Sequence, residues 1–132
     1  MSWQAYIDSS LVGTGYIDSA AIFSVDGKDD WAHATNFKIS PEEMQVIVGS
    51  FTKSSDVLAG GFKVNAVKYM AISTPDSETN PGVLMGRSGK EGFVVAKTTQ
   101  ALILAHHPET VMTPQCVDVV EKLAKYLKDL GY

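Results

Sequence analysis

Gly82-Val83-Leu84-Met85-Gly86, Phe93-Val94-Val95-Ala96 and Ala101-Leu102-Ile103-Leu104-Ala105 are three short apolar runs in the second half of the chain. Each has strand length rather than helix length, and Ser88-Gly89-Lys90-Glu91-Gly92 makes a turn between the first two. The last run is continuous in its hydrophobicity, as a strand buried on both faces must be, and is expected at the centre of a sheet. The connections are turn-like, so the strands are expected to form an antiparallel meander.

Working outward, Gly60–Val64 and Lys68–Ile72 read as a hairpin turning near Asn65-Ala66, within a β-type texture running from Leu58 to Leu104. Ser19–Val25 is a short apolar strand, Asp26-Gly27 a strong turn, and Trp31–Thr35 its partner strand. Thr74–Gly82 is polar, carries two prolines and reads as an exposed loop. Ser40-Pro41-Glu42-Glu43 starts a helix, with a Ser cap, Pro first and Glu three after the cap. Met44, Val46, Ile47, Val48 and Phe51 supply its apolar face. A second helix is capped at Thr113, opens with Pro114 and ends before Gly131. Cys116, Val120, Leu123, Ala124, Leu127 and Leu130 repeat along it at helical spacing and predict its buried face. A third, short helix is predicted from Ser2, its cap, to about Leu11. Trp3 and Tyr6 share one face of it, and Ile7 and Leu11 form the adjoining stripe. The two rings either dock this helix or stay partly exposed as a recognition platform.

The 132 residues suit one domain, with 45% hydrophobic and 20% charged residues. A net charge of −4 argues against nucleic-acid binding by bulk electrostatics. Cys116 is the single cysteine, so no internal disulfide and no thiolate zinc site can form. No apolar run approaches a membrane span, and the expected compartment is the reducing cytosol.

No catalytic constellation emerges. His106-His107 at a strand end would point to opposite faces, and His33 is distant in sequence. Cys116 reads as an inert buried thiol, although its place near a helix N-terminus would act to lower its pKa. Neither a metal site nor a cofactor is expected, and a binding module is favoured over an enzyme. The informative feature is the set Trp3, Tyr6, Trp31, Tyr126 and Tyr132. If the first and last helices pack side by side, these rings converge in a groove suited to polyproline II ligands. The alternative is that Trp31 belongs to the hairpin core.

Met1-Ser2-Trp3-Gln4-Ala5-Tyr6, Ala20-Ala21-Ile22 leading to Asp30-Trp31-Ala32, and Tyr126-Leu127 with Gly131-Tyr132 at the end resemble profilin, along the full length of the chain. Lys68-Tyr69-Met70 and Thr113-Pro114-Gln115-Cys116 are most similar to plant- and protist-type members. The resemblance implies an α+β fold over residues 1–132, with a profilin-like central antiparallel β-sheet. The N- and C-terminal helices would lie on one face and the other helices on the opposite face. It implies a non-enzymatic, monomeric protein of the cytoplasm and cytoskeleton. Such a protein binds monomeric actin, proline-rich partners such as formins, and phosphoinositide lipids. It would sequester monomers from pointed ends and deliver them to barbed ends.

Carried over by position, the polyproline site falls on Trp3, Tyr6, Trp31, Tyr126, Leu127 and Tyr132. The actin site falls on Lys68, Met70, Arg87, Lys90, Val111, Pro114, Val117, Asp118 and Lys122. Two positions that are basic in many relatives are Ser73 and Met85 here, which is expected to weaken actin and lipid binding. A loop over 74–82 that looks longer than in most relatives is expected to tune actin docking. The competing expectation is a polyproline-binding adaptor with weak actin binding.

Overall fold

The structure is a computed structural model that describes residues 3–76, 78 and 82–132. Among these, seven strands form one antiparallel sheet: β1 (Ser19–Ser24), β2 (Asp30–His33), β3 (Phe62–Val64), β4 (Val67–Ser73), β5 (Val83–Ser88), β6 (Glu91–Lys97) and β7 (Ala101–His107). Their order across it is β2-β1-β7-β6-β5-β4-β3. The three runs that decide the fold are β5, β6 and β7, paired in continuous register. As its composition requires, β7 lies inside the sheet between β1 and β6, buried from Ala101 to Ala105.

Alternation along the strands divides the core in two. On one face Ala20, Ile22, Met85, Val94, Ala96, Ile103 and Ala105 meet the N-terminal helix and α4 (Thr113–Asp129). On the other, Ala21, Phe23, Leu84, Phe93, Val95 and Leu104 meet Met44 and Ile47 of α2 (Pro41–Gly49) and Val57 of α3 (Ser55–Gly60). This is the expected arrangement of helices about a central sheet.

The predicted first helix is present but irregular. One α-turn, α1 (Trp3–Ala5), runs into a π-helical stretch over Tyr6–Leu11 and a 3₁₀ turn over Val12–Thr14. The Val12 N–H reaches back to the Ile7 carbonyl, five residues away, which widens the turn. Ile7 and Leu11 are fully buried, as their spacing predicts. The tight exit depends on Gly13, where a Cβ would stand 2.5 Å from the Asp8 carbonyl oxygen. The predicted cap, Ser2, lies outside the described residues.

The α2 start matches its sequence signature. The Ser40 hydroxyl accepts from the Glu43 N–H at 3.1 Å, and the Glu43 carboxylate accepts from the Ser40 N–H at 2.9 Å. That carboxylate also accepts from the Asn65 N–H at 3.1 Å and the Ala66 N–H at 2.7 Å. It thereby braces the β3–β4 turn, in which both residues take positive φ, 53° and 64°. Burial pushes the Glu43 pKa up, but the Ser40, Ala66 and Asn65 amides outweigh it and hold the carboxyl below its usual range.

Several expectations need correction. The stretch read as a Ser-rich break followed by strand is instead α3, whose six residues are too few to show a helical period. Val57 anchors it in the core, while Leu58 is exposed. In α2, Val46 faces solvent. The α4 cap is Met112 rather than Thr113, with the Met112 N–H bonded to the Gln115 side chain at 3.0 Å. Leu130 lies beyond the last turn and is exposed. Within the expected exposed loop, Thr74 is buried and its hydroxyl donates to the Asp76 carboxylate. Residues 77 and 79–81 of that loop lie outside the described residues.

Candidate functional site

The two ends of the chain meet through their aromatic rings. Trp3 stands 5.6 Å from Tyr6, 4.7 Å from Trp31 and 5.2 Å from Tyr132, and Tyr6 stands 6.1 Å from Tyr126, centroid to centroid. Five of the six residues assigned to polyproline binding therefore form one continuous cluster. Trp31 is half-buried, and its indole stacks obliquely against Trp3 at the sheet edge rather than inside the hairpin. Tyr126 and Tyr132 are 49% and 41% exposed, so they present ring surface to solvent. Leu127 differs: it is fully buried and backs the cluster from within the core.

Polar contacts tie both ends of the cluster to the sheet. The Gln4 side chain donates to the His33 carbonyl at 3.2 Å and ties the N-terminal helix to β2, which carries Trp31. The Tyr132 backbone oxygen accepts from the Thr98 hydroxyl at 2.7 Å and from the Gln100 N–H, and the Tyr132 N–H donates to the Leu127 carbonyl at 2.9 Å. Thr98 is buried and its hydroxyl also accepts from the Ala101 N–H at 3.0 Å, so the clamp is anchored to β7. Burial, a hydrogen bond with Tyr126 and the proximity of the Tyr126 and Tyr132 hydroxyls together push the Tyr6 pKa up. Its phenol therefore stays protonated. The result is a set of flat faces with phenol and indole donors, suited to proline rings and the exposed carbonyls between them.

A second concave region lies around the N-terminal half of α4. A cavity of about 710 Å³ opens between β4–β5 and the α4 start. Arg87, Lys90, Val111, Pro114, Val117 and Asp118, six of the nine residues assigned to actin binding, line it. Met70 is half-exposed on β4 and pairs in register with Arg87, which puts it on the rim, and Lys68 is exposed two residues earlier. Lys122 sits one turn along α4, bonded to Asp118 at 3.0 Å, and lines the neighbouring grooves instead.

The sequence reading missed Ile72, His107 and Met112 in this cavity. Ile72 was accessible to it: residues 68, 70 and 72 alternate onto one face of β4. Met112 was hidden by the misplaced cap. His107 is buried, and its Nδ1 donates to the Pro108 carbonyl at 2.9 Å, which leaves Nε2 to accept from the Thr113 hydroxyl at 2.9 Å. Thr113 does not cap α4 because it is already the first helical residue, with the extended backbone at Met112. The imidazole packs on Gly92, where a Cβ would come within 2.2 Å of Nε2. Ser73 and Met85, the two positions lacking a basic residue, are register partners, so both departures fall at one place beside the cavity.

His106 points to the opposite face of the sheet, with Asp18 at 2.5 Å from Nδ1 and Glu91 at 3.2 Å from Nε2. Cys116 is fully buried, and desolvation, reinforced by Asp18, pushes its pKa up to about 12, so the helix N-terminus does not activate it.

The fold and sequence are shared with known proteins. The profilin family model matches residues 1–132. Profilin-A of Physarum polycephalum is 42% identical over 132 residues, covering 100% of both chains. Schizosaccharomyces pombe profilin superposes with a TM-score of 0.91 at 35% identity, over 99% of this chain and 100% of that one. Mouse profilin IIa, solved in complex with a double repeat from the FH1 domain of mDia1, superposes with a TM-score of 0.80 at 25% identity over 100% of both.

Proposed function

This chain belongs to the profilin family, and we propose that it is a cytoplasmic regulator of actin assembly that binds monomeric actin and proline-rich segments at two separate sites. The observation that carries this reading is the division of α4. Its first turns, with Pro114, Val117 and Asp118, face the cavity, while Tyr126 near its end joins the aromatic cluster. One rigid helix can thus serve two ligands without their competing for the same residues.

Proline-rich chains would lie on Trp3, Tyr6, Trp31, Tyr126 and Tyr132, with Leu127 supporting them from below. The ligand for which mouse profilin IIa was solved, an FH1 repeat, supports that ligand class. Monomeric actin would cover the face formed by Lys68, Met70, Arg87, Lys90, Val111, Pro114, Val117, Asp118 and Lys122. Covering one end of the monomer blocks its addition at pointed ends. A formin-type partner held on the other site then brings the complex to barbed ends. Phosphoinositide head groups would meet Lys68, Arg87 and Lys90 on this face, Lys122 being paired with Asp118.

A specific observation favours a second reading. Ser73 and Met85 face each other at the cavity edge, so that corner of the face lacks positive charge. On this reading the chain is a polyproline adaptor with weak actin binding. Spontaneous assembly of purified actin discriminates the two. Dose-dependent slowing by this protein supports the actin regulator. No slowing, combined with a tryptophan fluorescence change on adding polyproline, establishes the adaptor. No response in either assay overturns both.

A further inference from the structure

The aromatic cluster does not end at Tyr126. A groove of about 500 Å³ continues from Tyr6 and Tyr126 between the N-terminal helix and α4. Its new surface is Tyr16, Val119 and Leu123, with Ser10 on the rim. Tyr16 is 43% exposed, nearly as open as Tyr126, and belongs to no ring contact in the cluster already described. At the far end stand Asp118 and Lys122, and Asp118 also lines the cavity of the other site. The groove therefore runs from one site to the edge of the other.

We propose that this groove carries the continuation of the same proline-rich chain, beyond the residues held by the aromatic cluster. The inference rests on the polyproline reading and extends it. The rings from Trp31 through Trp3 and Tyr6 to Tyr126 are spaced by 4.7, 5.6 and 6.1 Å. A polyproline II chain rises about 3.1 Å per residue, so about five residues cover that span. A longer chain leaving past Tyr126 meets a second open tyrosine, with buried Leu123 as floor and half-buried Val119 beside it. These surfaces are continuous with the cluster through Tyr6 and Tyr126, and they offer the same chemistry: a flat ring, a phenol donor and an apolar floor. The occupant is a proline-rich segment rather than a charged one, because Asp118 and Lys122 already satisfy each other at 3.0 Å. A long ligand is thereby directed along α4 toward the actin-binding face, and ligand length becomes a determinant of affinity.

The test compares an oligoproline of about six residues with one of about twelve on wild type, Tyr16→Ala and Trp3→Ala. Tyr16→Ala is expected to weaken the long peptide about fivefold and leave the short one unchanged. Trp3→Ala is expected to weaken both. The registers open to a long peptide are the same for every variant, so the wild-type-to-variant ratio cancels them. Amide shifts of Tyr16 and Val119 that move with the long peptide and not the short one would support the same conclusion without mutation. An unchanged long-to-short ratio in Tyr16→Ala, or shifts confined to the aromatic cluster, overturns the extended track while leaving the polyproline site standing. Failure of wild type to bind either peptide overturns the polyproline reading itself.

Discussion

The aromatic cluster and the cavity at the α4 start are built on opposite plans. The cluster is made of a few large rings contributed by both ends of the chain, each touching the next, so that residues far apart in sequence complete a single surface. The cavity is made of many small contributions from β4, β5, the β5–β6 turn, the segment before α4 and α4 itself, apolar in the middle and charged at the rim. Truncating one ring removes a large share of the first surface. Removing one side chain from the second leaves most of it in place. The first should therefore show concentrated energetics and the second distributed energetics.

The sharpest way to break this contrast is Trp3→Ala. Trp3 touches Tyr6, Trp31 and Tyr132, so its loss removes the hub of the cluster. Polyproline affinity should fall about a hundredfold, as for a central aromatic hot spot, with actin affinity changed by less than about twofold. Ile7 and Leu11, both fully buried, keep the helix seated. Isothermal titration with polyproline and an actin assembly assay on the same preparation read both effects. If actin binding falls in parallel, the ring anchors the helix and the two sites are not independent.

On the other side, Arg87→Glu should give a smaller effect. Arg87 is exposed on β5 at the cavity rim, opposite Met70. With Ser73 and Met85 uncharged, it and Lys90 hold the positive charge lining the cavity. Reversing it should slow association with actin and lower affinity about tenfold, more at low salt than at high salt, without altering polyproline binding. A hundredfold loss from this one residue would mean that the face also has a hub, and the contrast between the surfaces would collapse.

The two surfaces also differ in how legible they were. Ring identity and spacing expose the cluster, because large aromatics are few and the chain ends offer little reason to hold them. Tyr126 and Tyr132 join the set on the same grounds; the resemblance adds Leu127, which the helical period of α4 already places on its buried face, where it lies. The sheet was readable because β5, β6 and β7 are short apolar runs with plain turns. The start of α4 was not, because Thr113 is a sound cap by residue type, whereas the cap that forms, at Met112, is set by its extended backbone and the Gln115 side chain. Likewise α3 depends on the burial of one valine, a tertiary effect with no local signature. The π-turn at Tyr6–Leu11 is another case, since a stripe at 7 and 11 suits an α-helix equally well.

The smallest effect concerns what holds β4 in place for the cavity. The Glu43 carboxylate accepts from the Asn65 and Ala66 amides and so braces the hairpin that leads into β4, where Lys68, Met70 and Ile72 lie. Glu43→Gln keeps the shape but removes the charge from these hydrogen bonds, and should cost about 1 kcal/mol of stability at neutral pH. The sign with pH follows from the lowered carboxyl pKa. The unfolded chain binds the proton near the ordinary 4.5, and the folded chain binds it only at lower pH. The stabilisation is therefore complete above 4.5 and is lost as pH falls through the folded value. The stability difference between wild type and Glu43→Gln should accordingly be flat near neutrality and shrink on acidification below that point, which denaturant unfolding at a series of pH values would measure. Because the brace lies on the far side of the sheet from both chain ends, polyproline affinity should not change, whereas actin affinity should drop by about twofold as the hairpin loosens. A difference that grows on acidification would mean that Glu43 is held protonated in the fold, and the brace would then be a neutral hydrogen bond rather than a charge held by amides.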